Sequence, residues 1–243
     1  MSTRMSMSNN VVLIMAGGVG KRMNSDLPKV LHMLHGKPMI LHVVDSALRV
    51  DDSSMIYVIV GKYSILIQNA IPVNPRVKYI YQNEPLGTGH AIQCCREELL
   101  KHGQDTRVLI LSGDVPLFTS ESMRDVLVNP YPATVVTTYF EKPFGYGRIV
   151  SDKIVEEKDC SEEERAICTV NCGIYGFNNK MLCDRLPMLN NNNAQNEYYL
   201  TSIFEKYENG TIGFVDVPRE KQYEIMGVNT PEQLNELLTC SVV

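Results

Sequence analysis

Asn10-Val-Val-Leu-Ile-Met-Ala-Gly-Gly-Val-Gly-Lys-Arg-Met23 decides the fold of this chain. Its first half is a short, unbroken apolar run that ends in glycines. Unbroken apolarity, as opposed to alternation, suits a strand covered on both faces of a parallel sheet. Glycines directly after such a strand let the backbone come close to a phosphate and aim N–H groups at it. Lys21, Arg22 and Lys29 add three cations beside that turn, in a chain whose net charge is −5. That acidity gives no electrostatic reason to expect nucleic acid or an anionic membrane as partner, so a phosphorylated ligand would depend on such a local cluster. Taken alone, the stretch also fits a tight turn beside a solvated charged face. Two phosphate motifs are excluded by residue. A Walker A loop fails at Met15 and Arg22, where it needs Gly and Ser/Thr. A dinucleotide fingerprint fails at Met23, where it needs a third glycine.

Outward from this stretch, Pro38 opens a segment with Ile40, Val43, Val44, Ala47 and Leu48 at helical spacing. The pattern then predicts a strand over Met55 to Val60, a helix over Ser64 to Ala70, a strand over Val77 to Tyr81, a helix over Gly89 to Leu100 and a strand over Val108 to Leu111. Such alternation argues for an α/β sheet with helices on both faces, whose ligands bind at the carboxyl ends of the strands. Asp114 follows the last of these strands. A carboxylate there is well placed to hold Mg²⁺ on a triphosphate, and would serve equally as a helix N-cap or Asx-turn. Further on, the pattern predicts strands over Thr134 to Phe140 and Val170 to Phe177, and a hairpin pairing Tyr146 to Val150 with Lys153 to Glu157. It also predicts helices over Asn196 to Tyr207 and Pro231 to Leu238. Asn190 to Asn193 reads as a loop. No composition break divides the chain, so one domain over 10–243 is expected, behind a polar tail over 1–9.

With 243 residues, 44% apolar and 21% charged, the chain has ordinary globular usage. Its seven cysteines are scattered and read as reduced thiols in a cytoplasmic setting; Cys168-x3-Cys172 lacks a second ligand pair. No run approaches the roughly 20 apolar residues of a membrane helix. His32 and His35 would share one side of a helix, but with no further ligand nearby they read as a polar structural pair. No Ser-His-Asp or Cys-His arrangement can be picked out. A nucleotidyl transfer tolerates that, because a sugar phosphate with a second pKa of about 6 is already largely ionised at neutral pH.

Met15-Ala-Gly-Gly-Val-Gly-Lys-Arg-Met23, Ser25-Asp-Leu-Pro-Lys-Val-Leu-His32 and Gly36-Lys-Pro-Met39 are followed in order by Leu86-Gly-Thr-Gly-His90, Gly113-Asp-Val-Pro-Leu117 and Gly145-Tyr-Gly-Arg148. Then come Ile154-Val-Glu156 with Lys158-Asp159, Asn191-Asn-Asn-Ala-Gln195 with Glu197-Tyr-Tyr199, and Gly227-Val-Asn229. These segments resemble the sugar nucleotidyltransferases, in particular the uridyltransferase domains of bacterial N-acetylglucosamine-1-phosphate uridyltransferases. The resemblance covers nearly the whole chain. It implies a Rossmann-like nucleotidyltransferase fold, α/β with a mixed, mainly parallel sheet. It divides the domain into a nucleotide-binding half (10–117) and a sugar-phosphate-binding half (118–243).

By this resemblance, Met15, Ala16, Gly17, Gly18, Gln82, Gly87, Thr88, Ser112 and Gly113 hold the uridine nucleotide, and Arg22 and Lys29 neutralise the triphosphate and departing pyrophosphate. Asp114 and Asn229 ligate Mg²⁺, while Gly147, Glu156, Asn171, Glu197 and Tyr199 surround the sugar. The implied substrates are UTP and N-acetylglucosamine 1-phosphate. Departures from the family pattern are Lys21 for threonine, Glu157 for histidine, Cys172 for threonine, Asn196 for glycine, and a shorter hairpin between Arg148 and Glu156. The acetyltransferase domain of the bifunctional enzymes has no counterpart in these residues; if they make up the whole protein, uridyltransferase activity alone is expected. Two alternatives are a transferase for another sugar 1-phosphate, such as glucose 1-phosphate, and a non-catalytic sugar-nucleotide-binding subunit. Intact Arg22, Lys29, Asp114 and Asn229 argue against the second.

Overall fold

The computed structural model describes residues 10–18, 20–151, 153–206 and 212–240, without the side chains of Lys21 and Lys206. The tail over 1–9 and Val19 in the glycine loop lie outside the described residues. In chain order the strands are β1 (Val11–Met15), β2 (Met33–Leu34), β3 (Lys37–Pro38), β4 (Met55–Val60), β5 (Val77–Tyr81) and β6 (Arg107–Ser112). They continue with β7 (Ala133–Tyr139), β8 (Gly147–Val150), β9 (Lys153–Val155), β10 (Thr169–Asn178) and β11 (Ile212–Asp216). The helices are α1 (Met39–Leu48), α2 (Ser64–Ala70), α3 (Thr88–Gln93), α4 (Arg96–Leu99), α5 (Ser120–Val128), α6 (Glu162–Arg165), α7 (Asn179–Arg185) and α8 (Pro231–Thr239).

β1 is the pivot. Val11 to Ile14 are fully buried, with β4 parallel on one side and β6 parallel on the other. Because side chains alternate along a strand, Val12 and Ile14 join the core under α1, with Ile40, Val43 and Ala47. Val11 and Leu13 face the opposite core, with Ile92 of α3, Leu182 of α7 and Phe204. Helices thus cover both faces, which is why the strand is apolar throughout. The sheet runs β11-β7-β10-β6-β1-β4-β5, parallel except that β10 is antiparallel to both β6 and β7. The β8–β9 hairpin hangs from β10.

The strand order reverses at β1, placing a topological switch point at the glycine turn. Gly113 N donates to the Met15 carbonyl at 2.9 Å, and Ala16 N to Ile59 at 2.8 Å, drawing the ends of β1, β4 and β6 together. β10 carries an irregularity between Asn171 and Tyr175, with Gly173 at φ 72°. Bulges of this kind bend a strand and re-aim its side chains.

Two predicted helices are corrected. The segment Gly89 to Leu100 is two short helices, α3 and α4, separated at Cys94-Cys95. There the Cys95 amide bonds three residues back to Ile92, a tightened turn that keeps both Cys95 and Leu99 fully buried. Of the segment Asn196 to Tyr207, the described residues are helical as a 3₁₀ stretch over Leu200–Lys206, and Tyr207 lies outside them. Asn196, at φ 54°, is in the left-handed region, and 197–199 are tied by their backbone to another segment. His32 and His35 do not share a helix, since His35 occupies the turn between β2 and β3 at φ 46°. All seven cysteines are free thiols. Among the described residues no helix is long and apolar enough to cross a membrane.

Candidate active site

Two clefts open along the carboxyl ends of β1 and β6. The first is lined by Met15, Ala16, Gly17, Gly18, Lys29, Gln82, Gly87, Thr88, Ser112, Asp114 and Glu197, among others. The second is lined by Arg22, Phe144, Gly147, Glu156, Asn171, Asn229 and their neighbours. Met15, Thr88, Ser112 and Asp114 line both, so the two clefts meet along one wall. Gly113 lies behind that wall, its amide holding the Met15 carbonyl.

Lys29 lies at the junction. Its ammonium donates to Asp114 Oδ2 and, at 2.8 Å, to Asn229 Oδ1, groups that lie 85 and 200 residues further along the chain. Ser112 Oγ donates to the other Asp114 oxygen. Asp114 is therefore neither a helix N-cap nor free in solvent: it is 7% exposed and its carboxylate faces a cation. Asn229 is brought alongside by the backbone, where Val228 N donates to the Asp114 carbonyl at 2.9 Å. A small core of Met23, Leu34, Met39, Leu117, Val228 and Leu237 anchors the end of the glycine loop to the same segment. Gly20, at φ 68°, lies against Lys29, and a Cβ added there would be 2.6 Å from the Lys29 Cβ.

Two hard oxygen donors converging on one cationic group suit Mg²⁺, which takes few protein ligands and completes its shell with phosphate oxygens and water. Arg22 is exposed at the second cleft.

On the first cleft's far wall, Gln82 Nε2 donates to the Gly87 carbonyl at 3.1 Å and lies 3.2 Å from His90 Nδ1. Gly87, at φ 116°, packs so closely on Tyr198 that an added Cβ would lie 2.6 Å from the Tyr198 carbonyl oxygen. Tyr198 N donates to Leu86 and Gly89 N to Tyr198, which staples 197–199 to the Gly87 turn. That staple puts Glu197 in the first cleft, whereas Gly147, Glu156 and Asn171, with which the sequence grouped it, line the second. Asn193 holds the segment from behind, donating from Nδ2 to the Glu197 carbonyl at 2.6 Å and accepting from Gln195 and Glu197 amides. The asparagine run thus works partly as scaffold.

In the second cleft, Gly147 and Asn171 face each other across the β8–β10 pair, and Glu156 follows the end of β9. Asn171 Nδ2 donates to Tyr175 Oη at 2.6 Å across the β10 irregularity, and its Oδ1 accepts from Gly173 N. Burial pushes the Glu156 carboxyl pKa up, opposed by a 2.8 Å hydrogen bond from Thr201 Oγ1. Burial, with the nearby Cys172, Asp114 and Glu236, pushes the Tyr146 hydroxyl up to about 12. The Cys172 thiol is likewise pushed up by burial, so it lines the cleft as a neutral group. Tyr199 is not in this cleft. It lines a neighbouring polar cavity behind Glu156, with Asp159, Asn193 and Thr201.

Sequence reasoning missed Phe144, 78% exposed at the mouth of the second cleft, and Gln233 on its wall. Gln233 had a legible signal, since it lies four residues after Asn229 and its Oε1 accepts from Asn229 N at 2.7 Å.

Residues 12–167 match the family model of the MobA-like NTP transferase domain. Over 247 residues the chain is 37% identical to a probable UDP-N-acetylglucosamine pyrophosphorylase of Acanthamoeba polyphaga mimivirus, covering 95% of each chain. It is 41% identical to the bifunctional protein GlmU of Clostridium acetobutylicum over 91% of this chain, and 43% identical to that of Clostridium novyi over 92%. The chain spans about half the length of these clostridial relatives, 50% in both cases. In fold it is similar to a solved UDP-glucose pyrophosphorylase in complex with UDP-glucose, with a TM-score of 0.66, 16% identity and coverage of 80% of this chain and 85% of that one.

Proposed function

Because the chain belongs to the MobA-like NTP transferase family, we propose that it transfers UMP from UTP to N-acetylglucosamine 1-phosphate, giving UDP-N-acetylglucosamine and pyrophosphate, with Mg²⁺ as cofactor. The observation that carries this reading is the pair of clefts sharing one wall, with Lys29, Asp114 and Asn229 at their junction. Two substrates lying in such clefts would present their phosphates to each other at Asp114. The name of the mimiviral relative, a probable UDP-N-acetylglucosamine pyrophosphorylase, supports the choice of uridine nucleotide and acetylated amino sugar.

The nucleotide would lie over Met15 to Gly18, its base side bounded by Gln82, Gly87 and Thr88. The acceptor would lie against Gly147, Glu156 and Asn171. A phosphate oxygen of the sugar attacks the α-phosphorus of UTP, and the bond from that phosphorus to the α,β-bridging oxygen breaks. Pyrophosphate leaves with the electron pair. No proton needs removal, because the attacking phosphate is ionised at neutral pH. Catalysis is then positioning and charge stabilisation, with Lys29 and Arg22 meeting the charge that builds on the triphosphate. Asp114 and Asn229 would hold Mg²⁺, which neutralises phosphate charge when bound.

The deciding experiment measures pyrophosphate release with UTP, Mg²⁺ and N-acetylglucosamine 1-phosphate, in parallel with glucose 1-phosphate. Faster release with the acetylated amino sugar is expected. A preference for glucose 1-phosphate would reject the acceptor, and uridine-nucleotide binding without release would reject catalysis.

A further inference from the structure

Behind the acceptor cleft lies a charged group that the proposed reaction does not use. Arg148 is 1% exposed, so its guanidinium is taken almost wholly out of water and depends on protein partners. Its Nη1 lies 2.7 Å from Glu157 Oε2 and also donates to the Tyr146 carbonyl, while Nη2 donates to the Arg165 carbonyl at 3.4 Å. Glu157 is the residue that stands where the family pattern has histidine.

Strand geometry gives this pair its place. Gly147 lines the acceptor cleft, and on a strand the next residue, Arg148, points to the opposite face. Glu156 likewise lines the cleft, and Glu157 meets Arg148 behind it. Arg148 pairs in register with Val155 on β9 and Val170 on β10, so it sits in the middle strand of three, with Gly147 beside it on β8, Asn171 on β10 and Glu156 just past the end of β9. A single buried cation therefore holds the entrance to β8, through the Tyr146 carbonyl, and the exit from β9, through Glu157. The turn after Val155 that presents Glu156 is also held by Asp159 N donating to the Glu156 carbonyl at 2.9 Å, and its carboxylate by Thr201 Oγ1; the ion pair adds the tie that fixes this turn to β8.

We infer that the Arg148–Glu157 ion pair is a positioning element that fixes the acceptor-side wall and so sets affinity for the sugar phosphate, independently of the nucleotide. The inference rests on the reading of this cleft as the acceptor site. Neither residue touches substrate; both act through Gly147 and Glu156.

The test is steady-state kinetics with UTP and N-acetylglucosamine 1-phosphate. Glu157→Gln is expected to raise KM for the sugar phosphate by about tenfold or more, with KM for UTP and kcat within about threefold of the parent. Glu157→Asp, which keeps the charge, is expected to recover most of that loss. Where Glu157→Gln fails to fold because Arg148 is left unpaired, the double variant Arg148→Met/Glu157→Leu removes both charges and avoids the orphan. It too is expected to show the selective rise in sugar-phosphate KM. A double variant with the parent's sugar-phosphate KM would overturn the inference, and so would a rise in both KM values together, which marks a general loss of structure. If the parent proves to saturate with a different sugar 1-phosphate, the acceptor named above is wrong. The same comparison on that substrate then still decides the ion pair.

Discussion

Gly20 and Gly36 provide a controlled pair for testing how the glycine loop serves the junction. Both have positive φ, 68° and 77°, so an alanine at either carries a similar backbone penalty of about 1–2 kcal/mol. They differ in surroundings. A Cβ at Gly36 meets nothing within 4 Å, whereas one at Gly20 would lie 2.6 Å from the Lys29 Cβ. Carbon atoms rest at about 3.5–4.0 Å, so the root of Lys29 would have to retreat by roughly 1 Å. That root carries the ammonium bridging Asp114 and Asn229. A misplacement of about 1 Å near the reacting groups costs on the order of 10²-fold, or about 2.7 kcal/mol of transition-state stabilisation. The assay is kcat/KM for pyrophosphate release beside a urea unfolding curve for each variant. Gly20→Ala should lose about 10²-fold in activity, and Gly36→Ala should lose stability with activity within about threefold of the parent. Equal activity losses in the two variants would refute the argument that Gly20 is glycine to make room for Lys29.

Three further outcomes follow from the electrostatics. Asp114→Asn should lose activity on the order of 10²-fold or more and regain part of it at high Mg²⁺; full activity at trace Mg²⁺ would take Asp114 out of the metal site. Glu156 has a raised pKa in the folded state, so the folded protein holds that proton more tightly than the unfolded chain, and stability falls as pH rises above the ordinary value of about 4.3. Glu156→Gln should flatten that slope in urea midpoints and weaken use of the sugar phosphate, whereas an unchanged slope would mean that Glu156 ionises as it does in water. Asp51 shifts the other way. Burial opposes its charge, but hydrogen bonds from Ser54, Asn10 and the Ser53 and Ser54 amides outweigh it and hold the pKa at about 2. Its contribution is present above about pH 3.9 and lost as pH falls toward 2, so Asp51→Asn should remove part of the acid-limb slope. Parallel acid limbs for variant and parent would contradict it.

The strands and helices around β1 were legible because each is short, apolar and bounded by glycine or proline. Met55–Val60, Ser64–Ala70 and Val77–Tyr81 are found with the bounds their patterns predict. α5 and α6 went unread although their signals were present. Thr119 caps α5 by accepting from Ser122 N, and Ser161 with Glu164 forms a capping box. The misreading at 196–199 has a different origin, since long-range backbone bonds to Leu86 and Gly89 override a local pattern that no window of sequence contains. The same bonds explain why Glu197, grouped by motif with Gly147, Glu156 and Asn171, lines the first cleft and not the second. The junction itself was legible as residue types, in Lys29, Asp114 and Asn229. That Lys29 would bridge the other two was not, because it depends on Val228 pairing with Asp114 and on Met23 packing against Val228.

The Lys29–Asn229 hydrogen bond closes a loop of 200 residues. Chain entropy alone charges about 5 kcal/mol, plus a constant, for a closure of that length. Local strand formation around β1 therefore cannot complete this site: the segment that carries Asn229 must dock as well, with Val228 and Leu237 of α8 packed in the small core beside Met23. A ligand held jointly by Asp114 and Asn229 binds only the closed form and stabilises it by mass action. Undocking of α8 and release of such a ligand are then thermodynamically linked, so a change that loosens the small core beside Met23 is felt as weaker binding at Asp114 and Asn229.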